Sequence, residues 1–238
     1  MTPGRRPTWR AYLLLSRISN LPTVWSNVLA GAVASGAAFA PSDLGRLAAG
    51  VSFLYTGGMF LNDVFDRDFD ATHRPDRPLP ARDVSVAAAS VVAGALVAFG
   101  LLIISAQPRY ATPLAWTAAL VAAILHYNWR HKRDPLGPLW MGVCRGLVYC
   151  VAASAVASAV SARVGVAAVV MTLYVVALTW IARRLGQQAS IAVPLLLAGI
   201  SLVDAGVVLV SGGGVVFVLL ALVCGVLTLG LQRIVPGT

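Results

Sequence analysis

Residues 57–80 read GGMFLNDVFDRDFDATHRPDRPLP, and this segment says most about the fold and function of the chain. Within it, Asn62, Asp63, Asp66 and Asp70 follow an apolar run and are separated by steps of three and four. On an α-helix such positions share one face. The sequence therefore predicts that one amide and three carboxylates project together where an apolar helix reaches the membrane surface.

Three carboxylates on one helix face repel each other unless a cation neutralises them. Mg²⁺ prefers hard oxygen ligands and commonly bridges a protein carboxylate to a substrate phosphate. We interpret Asn62, Asp63, Asp66 and Asp70 as candidate Mg²⁺ ligands. The alternative is a solvated helix end at which the Asp side chains only face water.

The segment after the acidic face, residues 73–80, combines prolines with Arg74 and Arg77. Prolines block a helix and favour an extended loop. A guanidinium group makes bidentate contacts with phosphate oxygens, so both arginines are candidate phosphate ligands. The alternative is that they only mark the cytoplasmic side of a membrane.

The remainder of the chain indicates an integral membrane protein. Of its 238 residues 58% are apolar and 11% are charged, which excludes a soluble globule, a disordered chain and a disulfide scaffold. The chain has a net charge of +9 but no soluble basic domain that could hold a nucleic acid. Its charge therefore favours an anionic lipid or an anionic substrate as the partner. We predict an all-α, multi-pass bundle in one domain, 1–238, with eight helices and nine as the alternative. Apolar stretches place the helices near 19–40, 47–64, 84–105, 111–129, 138–160, 164–182, 190–210 and 214–231.

The basic residues predict the orientation of this bundle. With a cytoplasmic N-terminus, fourteen of the eighteen basic residues fall on the cytoplasmic side and only Arg46, Arg109 and Arg163 fall on the other. Both termini and the long polar segments 62–83, 130–137 and 183–189 are then cytoplasmic. The candidate site is therefore expected at the cytoplasmic face.

Several motifs resemble the UbiA superfamily of intramembrane prenyltransferases. Residues 62–70 (NDVFDRDFD) and 74–80 (RPDRPLP) resemble its first signature, and residues 127–133 (YNWRHKR) resemble its Y-x-x-x-K-R segment. The stretch 137–146 (GPLWMGVCRG) resembles its Gly-rich fifth helix. Together with residues 57–61 (GGMFL), this stretch is most similar to the divergent EboC-like branch.

The resemblance implies Mg²⁺-dependent transfer of a prenyl group, within the membrane, from a prenyl diphosphate to a small acceptor, an aromatic one among the candidates. By position, Asn62, Asp63, Asp66 and Asp70 would hold Mg²⁺ and diphosphate. Lys132 and Arg133 would contact the leaving phosphate oxygens. Tyr127, Arg74 and Arg77 would add to the substrate site.

The chain departs from the family where a second acidic motif is expected. Residues 174–188 contain no carboxylate, and Arg183 and Arg184 stand there instead. These arginines would either bind the diphosphate directly or serve only as topology charges. The missing motif leaves an alternative function, a non-catalytic or transport-linked protein that binds a prenyl lipid or a metabolite.

Three polar residues within predicted spans complete the candidates. Arg145 is expected to face a cavity or a carboxylate, with a structural ion pair as the alternative. Asn20 would line the cavity or make packing hydrogen bonds. Asp204 is expected to reach water near the opposite surface.

Overall fold

A computed structural model describes residues 9–107, 111–130, 134–157, 159–185 and 189–235. Over these residues the chain forms helices and no strand, which confirms the predicted all-α bundle. A single 3₁₀ turn, Ile18–Asn20, connects the first two of nine α-helices. The α-helices are α1 Trp9–Ser16, α2 Leu21–Ala34, α3 Pro41–His73, α4 Val86–Ser105, α5 Ala111–Arg130, α6 Gly137–Ala157, α7 Ala162–Arg184, α8 Ala189–Val210 and α9 Val215–Gln232.

The helix predicted over 19–40 extends too far at its end, because α2 stops at Ala34, and the short helix α1 before it was not predicted. The chain is already helical in α1, breaks at Arg17, where φ is 46°, and resumes as α2 with Pro22 in its first turn. Proline is favoured in the first turn of a helix because its missing N–H has no partner there. After α2, Gly36 adopts a φ of 75°, a conformation that glycine takes without steric cost.

The helix predicted over 47–64 is present, but α3 extends beyond it at both ends. It starts at Pro41 and continues through the whole acidic segment to His73. The amide of Arg74 makes a final bond of 2.8 Å to the carbonyl of Asp70. Pro75 then ends the helix, since the residue before a proline avoids helical backbone angles.

Helix α2 lies at the centre of the bundle. Twelve of its fourteen residues are buried, and it packs against α3, α6, α8 and α9. Its approach to α6 is close at Gly31, where an added Cβ would lie 2.8 Å from the Cα of Tyr149. Around this centre, α3 packs on α4, α6 on α7 and α8 on α9.

The outward faces of the bundle are apolar. Val91 on α4, Leu173 on α7 and Val226 on α9 are among the large hydrophobic side chains that are mostly exposed. Of the helices described, six are long and apolar enough to cross a membrane: α3, α4, α6, α7, α8 and α9. An apolar exterior of this extent requires lipid as its surroundings, so the chain is an integral membrane protein.

Candidate active site

The four polar residues predicted to share one face of α3 are all buried. Asn62, Asp63, Asp66 and Asp70 are each at most 6% exposed, whereas the neighbouring Asp68 is exposed. The helix continues through all of them, so their common face is set by its 3.6-residue period. Burial of three carboxylates demands nearby positive charge, because an unpaired buried charge is strongly disfavoured.

Two arginines provide that charge. The Nη1 of Arg77 lies 3.0 Å from Asp63 Oδ1 and 3.0 Å from Asp70 Oδ2. The Nη2 of Arg17 lies 3.2 Å from Asp63 Oδ1 and donates to Asn62 Oδ1 at 3.0 Å. The loop after α3 and the junction of α1 with α2 therefore both close onto the acidic face.

Arg17 is one of the fourteen basic residues that the sequence analysis counted only for membrane topology, so its place in the site was missed. Its position offered one signal, an arginine inside the apolar stretch that begins near residue 11. A charged side chain in such a stretch usually faces the protein interior or a cavity. The left-handed backbone of Arg17, which produces the break before α2, has no clear signature in the sequence.

A cavity of about 360 Å³ opens beside the acidic face. Its lining includes several charged and amide side chains, and we use the name polar end for five of them: Asn62, Asp66, Arg74, Arg77 and Arg183. Away from them the wall is mainly aliphatic and includes Val51, Leu120, Ile124, Val148, Leu178 and Ile200. A second cavity of about 350 Å³ shares Arg17, Arg74 and Arg77 with the first and adds Asp63 and Asp76.

Two predicted residues and one missed residue also line the first cavity. Tyr127 lies in its wall, and so does Asn20, whose amide donates to the hydroxyl of Tyr55 at 3.0 Å. The missed residue is Asn128, which accepts a bond of 3.2 Å from Asn62 Nδ2 and donates to the carbonyl of Gly58. Asn128 therefore fixes the amide of Asn62 in position.

The structure separates the two arginines at the end of α7. Arg183 lines the cavity, whereas the guanidinium carbon of Arg184 lies 4.0 Å from the ring centre of Trp180, which is exposed. Lys132 and Arg133, the other predicted phosphate ligands, lie outside the described residues. Over 174–185 the chain offers the cavity one guanidinium and no carboxylate.

Arg145 lines the same cavity, and Asp204 lies behind it. Arg145 donates to Asn27 Oδ1 at 2.8 Å and to Thr23 Oγ1 at 3.0 Å. The expectation that Asp204 reaches water is wrong, because its side chain is fully buried and accepts bonds from Ser26, Asn27 and Tyr149. A carboxylate in an apolar run can be buried if other helices supply its donors.

The acidic face suits a metal ion held jointly with a substrate better than one enclosed by protein. Among the described residues, no group of three or more His, Cys, Asp or Glu side chains is arranged as a metal site. However, Asp66 lines the cavity, and the buried Oδ1 of Asp70 has no hydrogen-bond partner in the described part of the chain. Carboxylate oxygens of this kind fit a hard divalent cation that takes its other ligands from water and phosphate.

The fold and this cavity define a helical membrane protein with a charged site at one end of an aliphatic cavity. The chain belongs to the UbiA prenyltransferase family, which matches residues 20–236. Proteins of this family generally use a divalent metal. The assignment to the EboC-like branch stays a prediction.

The alignments with named relatives cover only part of this chain and part of each relative. The chain is 35% identical over 130 residues to the digeranylgeranylglyceryl phosphate synthase of Methanopyrus kandleri, which is 53% of this chain and 46% of that protein. It is 38% identical over 107 residues to the 4-hydroxybenzoate octaprenyltransferase of Pectobacterium carotovorum, which is 40% of this chain and 36% of that protein. The chain thus spans about half the length, or less, of the curated relatives it matches.

Two solved structures share the fold. The chain resembles the apo structure of a UbiA homologue from Aeropyrum pernix K1 with a TM-score of 0.62 and 21% identity, over 89% of this chain and 88% of that one. It resembles a digeranylgeranylglyceryl phosphate synthase structure with a TM-score of 0.59 and 18% identity, over 95% and 88%. Identities this low support the fold alone.

Proposed function

We propose that the protein transfers a prenyl group from a prenyl diphosphate to a small acceptor inside the membrane, and that the reaction depends on Mg²⁺. The observation that carries this proposal is that the first cavity combines a polar end rich in arginine with an aliphatic wall. A prenyl diphosphate has the same two parts, a charged headgroup and an apolar chain. The cavity volume of about 360 Å³ lies within the range of small-molecule sites.

The headgroup would lie at the polar end. Arg74, Arg77 and Arg183 line it and offer guanidinium donors to phosphate oxygens. Lys132 and Arg133 are proposed as further ligands on the family motif alone. Carboxylates of a second acidic motif would bind a metal ion, which would bring positive charge to the diphosphate. Arg183 would supply part of that positive charge directly.

Asp66, with Asn62 and Asp70 beside it, would hold Mg²⁺ against the diphosphate. When bound, the ion would neutralise negative charge on the leaving diphosphate. Asp63 is proposed as a positioning residue, because its carboxylate is engaged by Arg17 and Arg77 and it does not line the first cavity.

In the proposed reaction the bond between C1 of the prenyl group and the diphosphate oxygen breaks, and the diphosphate leaves with the electron pair. C1 then bonds to the acceptor, which loses a proton. The allylic cation that develops needs surroundings from which water is excluded, and the aliphatic wall provides them. The rings of Tyr55 and Tyr127 line the cavity and would stabilise that cation through their π faces.

A second candidate function is the binding or transport of a prenyl lipid without turnover. The absence of a carboxylate over residues 174–188 favours it, because one half of the family's usual acidic site is missing. The two functions differ in one observable, the release of diphosphate.

The decisive experiment uses purified protein in nanodiscs, titrated with farnesyl or geranylgeranyl diphosphate with and without Mg²⁺. We expect Mg²⁺-dependent binding that Asp66→Asn weakens at least tenfold and that Asp68→Asn leaves unchanged, since Asp68 lies on the exposed face of the same helix turn. Diphosphate release with 4-hydroxybenzoate or a glyceryl phosphate lipid present would support transfer. Binding without release would support the second candidate, and absence of binding would contradict the proposed transfer.

A further inference from the structure

A polar cluster in the middle of the bundle plays no part in the function proposed above. Its centre is Asp204 on α8, whose side chain is fully buried. Ser26 donates to its Oδ2 at 2.5 Å, Asn27 Nδ2 lies 2.9 Å from both carboxylate oxygens, and the hydroxyl of Tyr149 donates to Oδ1. Three helices, α2, α6 and α8, therefore hold one carboxylate in a fixed position.

Asn27 connects this carboxylate to the cavity. Its amide nitrogen faces Asp204, and its amide oxygen accepts a bond of 2.8 Å from Nη1 of Arg145. The Nη2 of Arg145 donates to Thr23 Oγ1 at 3.0 Å, and its guanidinium carbon lies 5.5 Å from the ring centre of Tyr55. The guanidinium is thus held on three sides by α2 and α3.

The charge of Arg145 is not neutralised by direct contact. Among the described residues no carboxylate lies within ion-pair distance of it, and only two of its five N–H donors have protein partners. The side chain is partly accessible because it lines the cavity. A positioned cation with free donors in a mainly apolar cavity favours an anionic ligand group, because opposite charges attract more strongly in such surroundings than in bulk water.

We propose that Arg145 binds an anionic group, a carboxylate or a phosphate monoester, on the acceptor, and that Asn27 and Asp204 position it. This inference rests on the proposed function, since it names the chemical class of the acceptor for the same cavity. Tyr55, which Arg145 contacts, precedes Asn62 by seven residues on α3, or about 10 Å of helix rise. An acceptor anchored on Arg145 would extend toward the polar end, where the prenyl diphosphate presents its reactive carbon.

The test compares pairs of probes that differ mainly in charge. The affinities of 4-hydroxybenzoate, its uncharged analogue 4-hydroxybenzamide, and phenyl phosphate are measured in nanodiscs, with and without a non-reactive farnesyl thiodiphosphate. We expect at least one anion to bind about tenfold more tightly than the amide. Arg145→Gln should remove that preference and leave the amide affinity unchanged. The affinities of 4-hydroxybenzoate and phenyl phosphate, compared with each other, identify which anion the site prefers.

Three further variants keep the result interpretable. Arg163→Gln makes the same change on an exposed residue at the start of α7 and should behave as wild type. Thr23→Val removes one of the two hydrogen-bond acceptors of Arg145 and leaves the charge of Arg145 in place. It should weaken anion binding about threefold. If Arg145→Gln does not fold, Arg145→Lys should keep a reduced preference for the anion.

The proposal is overturned if wild type binds acid and amide equally, or if Arg145→Gln keeps the preference for the acid. It is supported if the preference is present and depends on Arg145, even where no prenyl diphosphate binds. An Arg145-dependent preference without prenyl diphosphate binding would contradict the proposed transfer and support the anion site. The opposite result, Mg²⁺-dependent prenyl diphosphate binding without an anion preference, overturns this inference alone.

Discussion

The guanidinium of Arg17 lies 3.2 Å from the carboxylate of Asp63, although 46 residues separate them in the sequence. This pair connects the break before α2 to the acidic face of α3. Arg17 adopts a left-handed backbone conformation, which costs an ordinary L-residue roughly 1–2 kcal/mol. Its contacts with Asn62 and Asp63 offset that cost, so the site and the first helix junction stabilise each other.

Arg17→Gln is expected to lower the free energy of unfolding by about 2 kcal/mol, because it removes a hydrogen-bonded charge from a largely buried carboxylate. Asp63→Asn should also destabilise the protein. The double variant should lose less than the sum of the two, with a coupling energy of at least about 0.5 kcal/mol. Denaturation in detergent measures all three. Strict additivity would show that the two side chains do not interact.

Arg183 and Arg184 are expected to differ in their effect on prenyl diphosphate binding. Arg183 lines the cavity, whereas Arg184 stacks on the exposed ring of Trp180. Arg183→Gln should weaken binding about tenfold, since a charge-assisted hydrogen bond to phosphate contributes roughly 1.5 kcal/mol or more. Arg184→Gln should weaken it less than threefold. Titration at fixed Mg²⁺ gives the comparison, and the reverse order of effects would contradict the assignment.

Gly31→Ala is expected to destabilise the bundle by about 1–3 kcal/mol, because the new methyl group would overlap the backbone of Tyr149. Gly45→Ala is the matched control on α3. An added Cβ at Gly45 meets no atom within 4 Å, so stability should stay the same or rise slightly. Melting temperatures in one detergent test both changes, and equal melting temperatures would be inconsistent with the close α2–α6 contact.

The two loops at the ends of α3 are expected on opposite sides of the membrane, with the polar end of the cavity at the cytoplasmic face. Ala38 and Ala81 are exposed in these loops. In intact cells a membrane-impermeant maleimide should label Ala38→Cys and not Ala81→Cys. Wild type, with Cys144, Cys150 and Cys224, supplies the background. Labelling of Ala81→Cys alone would reverse the orientation.

The helices of the second half follow their apolar stretches closely, since each is a simple run between polar breaks. The acidic face was also predictable from spacing, because Asn62, Asp66 and Asp70 repeat at the helical period. The side chains that contact that face could not be predicted in this way. Arg17 and Asn128 reach it from other helices, and such contacts depend on how helices pack rather than on local sequence.

Asp204 illustrates even more clearly that contacts between helices cannot be predicted from local sequence. An isolated Asp in an apolar run has no local signal for burial, and its donors come from α2 and α6, more than fifty residues away in the chain. Its role emerges only when three helices are brought together. The continuation of α3 through the acidic segment has a similar origin, because Arg17 and Arg77 offset the repulsion that would otherwise weaken the helix there.

The aliphatic wall has a consequence for selectivity. A prenyl chain that enters the cavity from the bilayer exchanges one hydrocarbon environment for another, so its transfer releases little ordered water. Affinity differences among membrane lipids would then arise almost entirely from their headgroups. Discrimination among chain lengths would depend on shape, on whether the last isoprene unit finds space between the helices.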